Sequence, residues 1–119
     1  MIATITVADY TKPAQNLFNL LSQGNLTGYT VVPSGGVMPA LTAIASVSYL
    51  SIQASYKNGS VVIYKGDENT ANDGTRQGKE MLAGDTDVGQ AYPYTVNLNE
   101  IFIRASANGG IVNVEIHFA

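Results

Sequence analysis

The sequence predicts an all-β protein: an antiparallel β-sandwich, jelly-roll-like, with one short N-terminal helix. Three observations predict it. Apolar and polar residues alternate with a period of two through much of the 119-residue chain, as half-buried strands require. Two Asn-Gly pairs, Asn58-Gly59 and Asn108-Gly109, each stand between two such runs, and Asn-Gly is the strongest short-range hairpin signal. Helical periodicity occurs once, near the N-terminus, which excludes the repeated strand–helix alternation of a doubly wound sheet.

Residues 3–8 alternate Thr4 and Thr6 against Ile5 and Val7, a β-branched strand. Thr11 then has the character of a helix N-cap, with Pro13 tolerated in the first turn. Ala14, Leu17, Phe18 and Leu21 follow at i, i+3, i+4 and i+7, and Gly24 suits the position after the last turn, so a helix of about three turns is expected. Its expected role is to cover one end or edge of the β core, with docking on a partner as the alternative. Residues 29–32 form a short strand stopped by Pro33. The Ser34-Gly35-Gly36 turn lacks the lysine and spacing of a phosphate-binding loop. Pro39 marks a second irregular point, and residues 41–47 are a further strand.

Residues 49–64 have the pattern of a hairpin. Leu50, Ile52, Ala54 and Tyr56 alternate with Ser51, Gln53 and Ser55. Asn58-Gly59 turns the chain, and Val61 and Ile63 return opposite Tyr56 and Ala54. A polar loop at 66–78, GDENTANDGTRQG, follows; its length marks it as functional or mobile. Residues 79–83 are short and extended, Gly84-Asp85 turns, and residues 92–98 form a strand with Pro93 near its start. The final stretch, EIFIRASANGGIVNVEIHF, has the strongest pattern. With Asn108-Gly109 as a two-residue loop, Ile101 faces Ile116, Ile103 faces Val114 and Ala105 faces Val112. The other face carries Phe102, Arg104, Asn113, Glu115 and His117. A Gly109-Gly110 loop keeps these faces and sets Arg104 opposite Glu115. Each hairpin thus has one dry face, and stacking the two buries both. About eight strands result, in an order left open. The chain is one domain, 1–119, with a mixed N-terminal part (1–48) and a hairpin-rich core (49–119).

Only 13% of residues are charged, about half the usual share, and the net charge is −3. Ser, Thr, Asn and Gln carry the polar surface, which suits contact with other protein. With no run of Lys and Arg, a nucleic-acid partner is not expected. No apolar run reaches the length of a membrane helix, and the first residues lack a secretory signal's basic start, so no membrane partner is expected and the Asn25 and Asn58 sequons are incidental.

The chain has no cysteine and one histidine, His117. Thiol chemistry and the common zinc sites are therefore excluded. The acidic loop 66–78 invites a calcium reading. Counting an EF-hand from Asp67 puts Asn69 at position three, but Ala71, Asn72 and Gly78 fall at five, six and twelve, so the pattern fails. No Gly-x-Ser-x-Gly elbow accompanies the serines. Glu100 and Glu115 lie on strands whose faces carry Arg104 and Asn113, so a structural ion pair with the arginine suits them better than a glycosidase dyad. Tyr92 and Tyr94, two apart on one strand, share a face that suits either a sugar groove or ordinary sheet tyrosines with their hydroxyls at the rim. No cofactor, metal or catalytic residue is expected, and the protein is read as a non-enzyme.

From about residue 50 to 118 the chain resembles small β-sandwich structural proteins of tailed bacteriophages. The resemblance rests on Ile63-Tyr64-Lys65-Gly66, an apolar strand ending in glycine; the polar loop; Met81-Leu82-Ala83-Gly84-Asp85; and Leu98-Asn99-Glu100-Ile101-Phe102-Ile103-Arg104-Ala105-Ser106 with Val112 and Val114. Residues before 50 match no pattern of this kind. The resemblance implies a virion component made in the host cytoplasm and carried on the capsid surface. It would be a cement or decoration subunit binding the major capsid protein, commonly as a homotrimer. A tail, neck or fibre part, or a glycan-binding receptor-recognition module, is the alternative. The expected interface residues are Ile2, Thr4 and Thr6 on an N-terminal arm, Asp67, Asn69, Asp73 and Arg76 in the polar loop, and Phe102 beside Arg104 on the wet face of the last hairpin.

Overall fold

A computed structural model describes residues 1–34, 40–75, 78–88 and 94–119. The fold is an antiparallel β-sandwich with one short helix, as the alternation predicts. Ten strands are formed among the described residues. The larger sheet runs β3 (Tyr29–Pro33), β1 (Ile2–Val7), β10 (Gly110–Phe118), β4 (Ile44–Ala54), β7 (Thr86–Val88), with β8 (Tyr94–Asn97) also pairing with β4, along its first half. The smaller sheet runs β2 (Gln15–Asn16), β9 (Phe102–Ala105), β5 (Ile63–Gly66), β6 (Lys79–Met81). Ile5, Val7, Ile52, Ala54, Val112, Val114 and Ile116 from the larger sheet meet Ile63, Met81, Ile103 and Ala105 from the smaller, all nearly solvent-free. Burying these side chains is the main force holding the sheets together.

The expected hairpins are not formed, although their dry faces are. β9 and β10 lie in different sheets, and so do β4 and β5. Each Asn-Gly segment is an arch carrying the chain from one sheet to the other. The hydrogen-bonded neighbours are β4 with β10 and β5 with β9, so pairing runs between the two arches and not within them. Ile103 and Val114 belong to the same buried core, one from each sheet. The cause lies at the turns. A type I′ turn needs positive φ at both central residues. No described non-glycine residue has positive φ, so Asn58 and Asn108 do not adopt it here.

Both asparagines instead bind backbone elsewhere. The Asn58 amide donates to Ile111 O (3.0 Å) and accepts from Ile111 N (2.8 Å). Asn108 Oδ1 accepts from Tyr10 N at 2.9 Å, while Gly109 N donates to Val7 O. Tyr56, expected on the dry face, is 78% exposed, because Ser55 caps a single 3₁₀ turn at Tyr56–Asn58 that lifts the chain off the core.

Other differences have local causes. α1 spans Leu17–Gln23, two turns and not three. Thr11 is not its cap: the Asp9 carboxylate accepts from both the Thr11 amide and hydroxyl. Asn16 caps the helix, accepting from Asn19 N at 2.7 Å, and residues 15–16 join the smaller sheet beside β9. Gly24 ends the helix as expected, with φ at 78° and its N–H on Leu20 O. Leu17, Leu20 and Leu21 are buried within the protein, so the helix covers the core. The expected strands at 41–47 and from 49 are one strand, β4. A bulge opposite His117 and Phe118 shifts the inward phase from Val47 to Leu50, which hid the continuity. The short strands β2 and β7 had too few residues to show a period. Pro39, Gly35, Gly36 and Pro93 lie outside the described residues.

Candidate interaction surface

The interface positions expected from sequence fall in three places. Ile2, Thr4 and Thr6 are not on an arm. β1 is an interior strand between β3 and β10, and these three side chains stand on the outer face of the larger sheet. Cross-strand register builds that face row by row. Val32, Thr4, Asn113, Gln53 and Thr86 form one row, and Ile2, Glu115, Ser51 and Val88 the next. The Thr4 hydroxyl donates to Asn113 Oδ1 at 3.2 Å, and Asn113 Nδ2 donates to Gln53 Oε1 at 3.4 Å. The middle of the face dips into a shallow depression lined by Ile2, Tyr49, Ser51, Gln53, Thr86, Asn113 and Glu115. Ile2, Val32 and Val88 leave about half or more of their surface in solvent. Along these rows the charged types are confined to Glu115, joined by His117 one step further along β10. Their side chains meet at 2.8 Å, with Tyr49 tilted against the imidazole. His117 is therefore exposed, as its phase predicts, and its neighbours are Glu115 and Tyr49.

The second place is the polar loop. Residues 67–75 fold back over the outer face of the smaller sheet. Thr70 is 2% exposed and Tyr64 6%. Arg104 Nη1 donates to Thr70 O at 3.1 Å, and Asn72 Nδ2 reaches Tyr10 O at 3.3 Å. Asp67 accepts from Asn69 N, and Asp73 accepts from the Thr75 amide and hydroxyl. Those carboxylates shape turns. Among the described residues no group of three or more acidic or histidine side chains is placed to hold a metal. Asn69 is exposed at the loop surface, and Arg76 lies outside the described residues.

The third place, Phe102 with Arg104, divides. Arg104 sits beneath the loop and is tied to it. It is not opposite Glu115, which belongs to the other sheet. Phe102 is half-buried and borders an open hollow with Asp67, Glu68, Asn99 and Glu100.

Sequence reasoning missed the open end of the sandwich. Inward positions carry Asp87, on edge strand β7 opposite Ile52, and Lys65, on β5 between Ile103 and Lys79. Lys65 Nζ and Asp87 Oδ2 are 2.5 Å apart, and Lys79 Nζ reaches the other carboxylate oxygen at 3.3 Å. Burial works against the Asp87 charge, but the two ammonium groups outweigh it and hold the carboxyl below its ordinary value. Tyr94, expected on an exposed sugar-binding face, points inward and packs against the core. Tyr92 is outside the described residues. The Lys65–Asp87 pair left no signal in sequence, because its members are 22 residues apart and meet only when the sheets stack.

Comparison with protein-family models, curated proteins and solved structures finds no match. Among the described residues no helix is long and apolar enough to cross a membrane.

Proposed function

We propose that this is a non-enzymatic virion structural protein, a capsid cement or decoration subunit that bridges and stabilises neighbouring major capsid protein subunits. One observation carries the reading: the outer face of the larger sheet, five strands wide, displays Thr, Asn, Gln and Ser with exposed Ile2, Val32 and Val88 and almost no charge. Such a surface loses little on desolvation. It gains from apolar contact and from paired amides, the makeup of a protein–protein contact and not of a solvated exterior. Weak contacts repeated over many copies on a shell add avidity. The phage-like segments supply β5, β6, β9 and part of β10, the strands that hold the smaller sheet against the larger. A homotrimer on the capsid surface is the assembly this reading favours.

Cosedimentation with shells built from the major capsid protein of the same genome tests it. Saturable binding of the wild-type protein, lost in Gln53→Lys, is expected, since a lysine there puts an unpaired charge in the contact. A strict monomer by light scattering that binds no shell at any concentration overturns the proposal. A tail or receptor-recognition role is the second reading, favoured by the Phe102 hollow with its ring of carboxylates and amide. It predicts glycan binding that Phe102→Ala abolishes.

A further inference from the structure

The polar loop is longer than its hairpin needs. Lys65 and Lys79 are direct partners on β5 and β6, so a short turn would join the two strands. The chain instead runs back over the outer face of the smaller sheet, where Tyr64 and Arg104 stand side by side in register. Little apolar surface holds it there. Of residues 67–75 only Thr70 is buried, and the one apolar type, Ala71, is half-buried. Thr70 Oγ1 and Arg104 Nε are both enclosed and have no hydrogen-bond partner, a costly state for each. Arg104 Nη1 holds the Thr70 carbonyl at 3.1 Å and Asn72 Nδ2 reaches Tyr10 O at 3.3 Å, so these bonds are set against two unpaired polar groups. The backbone also lies close to the sheet. Gly74 has φ at 77°, and a Cβ there would meet the Glu80 carboxylate at 2.5 Å and stand 3.7 Å from the Tyr64 ring.

We propose that residues 67–75 are a strap latched at Thr70, which opens and recloses while both sheets stay folded. A segment with few buried apolar contacts opens at far less cost than global unfolding. Here opening hydrates the Thr70 hydroxyl and the Arg104 Nε–H, which removes the penalty of closure. It uncovers Tyr64, 6% exposed when the strap is shut. It also uncovers the Arg104 guanidinium, which has no carboxylate within ion-pair distance among the described residues. The closed strap thus withholds an aromatic ring and a positive charge that share one row of the smaller sheet. This device lies on the smaller sheet and is independent of the virion reading, which rests on the outer face of the larger.

Hydrogen exchange followed by NMR on the intact protein reads the strap, because the Arg104 Nε–H has no acceptor and is protected by enclosure alone. It should exchange at least about 100-fold faster than the amides of β10, which wait for global unfolding, and its rate should hardly respond to low urea. It should also exchange at least about tenfold more slowly than free arginine. Thr70→Val keeps the shape of the latch and the carbonyl that Arg104 grips but removes the unpaired hydroxyl, so exchange should slow about tenfold. Gly74→Ala puts a side chain at positive φ in the closed strap only, so exchange should quicken about tenfold. Opposite changes from two substitutions within the strap assign the exchange to its opening, and the wild-type comparison stands even where a variant fails to fold. Exchange of the Arg104 Nε–H at the rate of the β10 amides, or at the rate of free arginine, overturns the proposal, as does either variant moving the rate the other way or not at all.

Discussion

Asn58 shows how one side chain decides between two folds of the same pattern. Its amide copies a peptide unit: it gives one hydrogen bond to the Ile111 carbonyl and takes one from the Ile111 amide, and it is buried while doing so. A hairpin would have exposed that amide at a turn. Each bond contributes about 1 kcal/mol net, so Asn58→Ala should cost about 2 kcal/mol and lower the melting temperature by roughly 8 °C. Thermal unfolding followed by circular dichroism checks this; an unchanged midpoint would mean that the clamp contributes nothing. Tyr29 works in the same way. Its buried hydroxyl lies 3.0 Å from both the Pro13 and Ile103 carbonyls, tying β3 to the smaller sheet, and burial pushes its pKa up to about 12.

At the scale of elements, the two-residue period was legible and the pairing was not. Alternation reports which side chains turn inward. Ile103, Ala105, Val112, Val114, Ile52, Ala54 and Ile63 are all buried as read. A hairpin and an arch share that alternation, because both leave the strands' dry sides facing inward, so the period cannot separate them. The separating facts are long-range: Ser106 N donates to Val62 O, Ser55 N to Ile111 O, and Gly109 N to Val7 O. Helix α1 was legible on its buried side at Leu17 and Leu21, though Leu20 is buried in place of the expected Phe18, and its start was not legible. Thr11 and Asn16 are both good caps by type, and the choice rests on Asp9 turning Thr11 back and β9 drawing residues 15–16 into a sheet. Of the candidate surface, Thr4 and Thr6 were correctly read as outward. That β1 is a central strand depended on partners more than 100 residues away, such as Ile2 with Glu115.

For the whole molecule, the arches close the core and leave two consequences outside it, a broad neutral face and a charged clasp at the open end. The clasp makes stability depend on pH in a defined direction. Asp87 has a depressed pKa in the folded protein, so its contribution is complete above the unfolded carboxyl value, about 3.9, and is lost as pH falls through the lower folded value. With side chains about a quarter exposed, the pair contributes about 1 kcal/mol. Asp87→Asn should therefore be less stable than wild type by about that amount at pH 7, and the gap should close in denaturant titrations as pH falls below the unfolded carboxyl value and through the lower folded one. A gap that persists in acid would assign the loss to packing and not to charge. The fold itself, from which both the open face and the clasp follow, is tested most directly by backbone cross-strand NOEs at Val114. Paired strands lie roughly 5 Å apart and stacked sheets about 10 Å. Contacts from the Val114 backbone to Ile52 and Ala3, with none to the Ile103 backbone, are the predicted result; a direct Val114–Ile103 backbone contact would restore the hairpin and contradict the account.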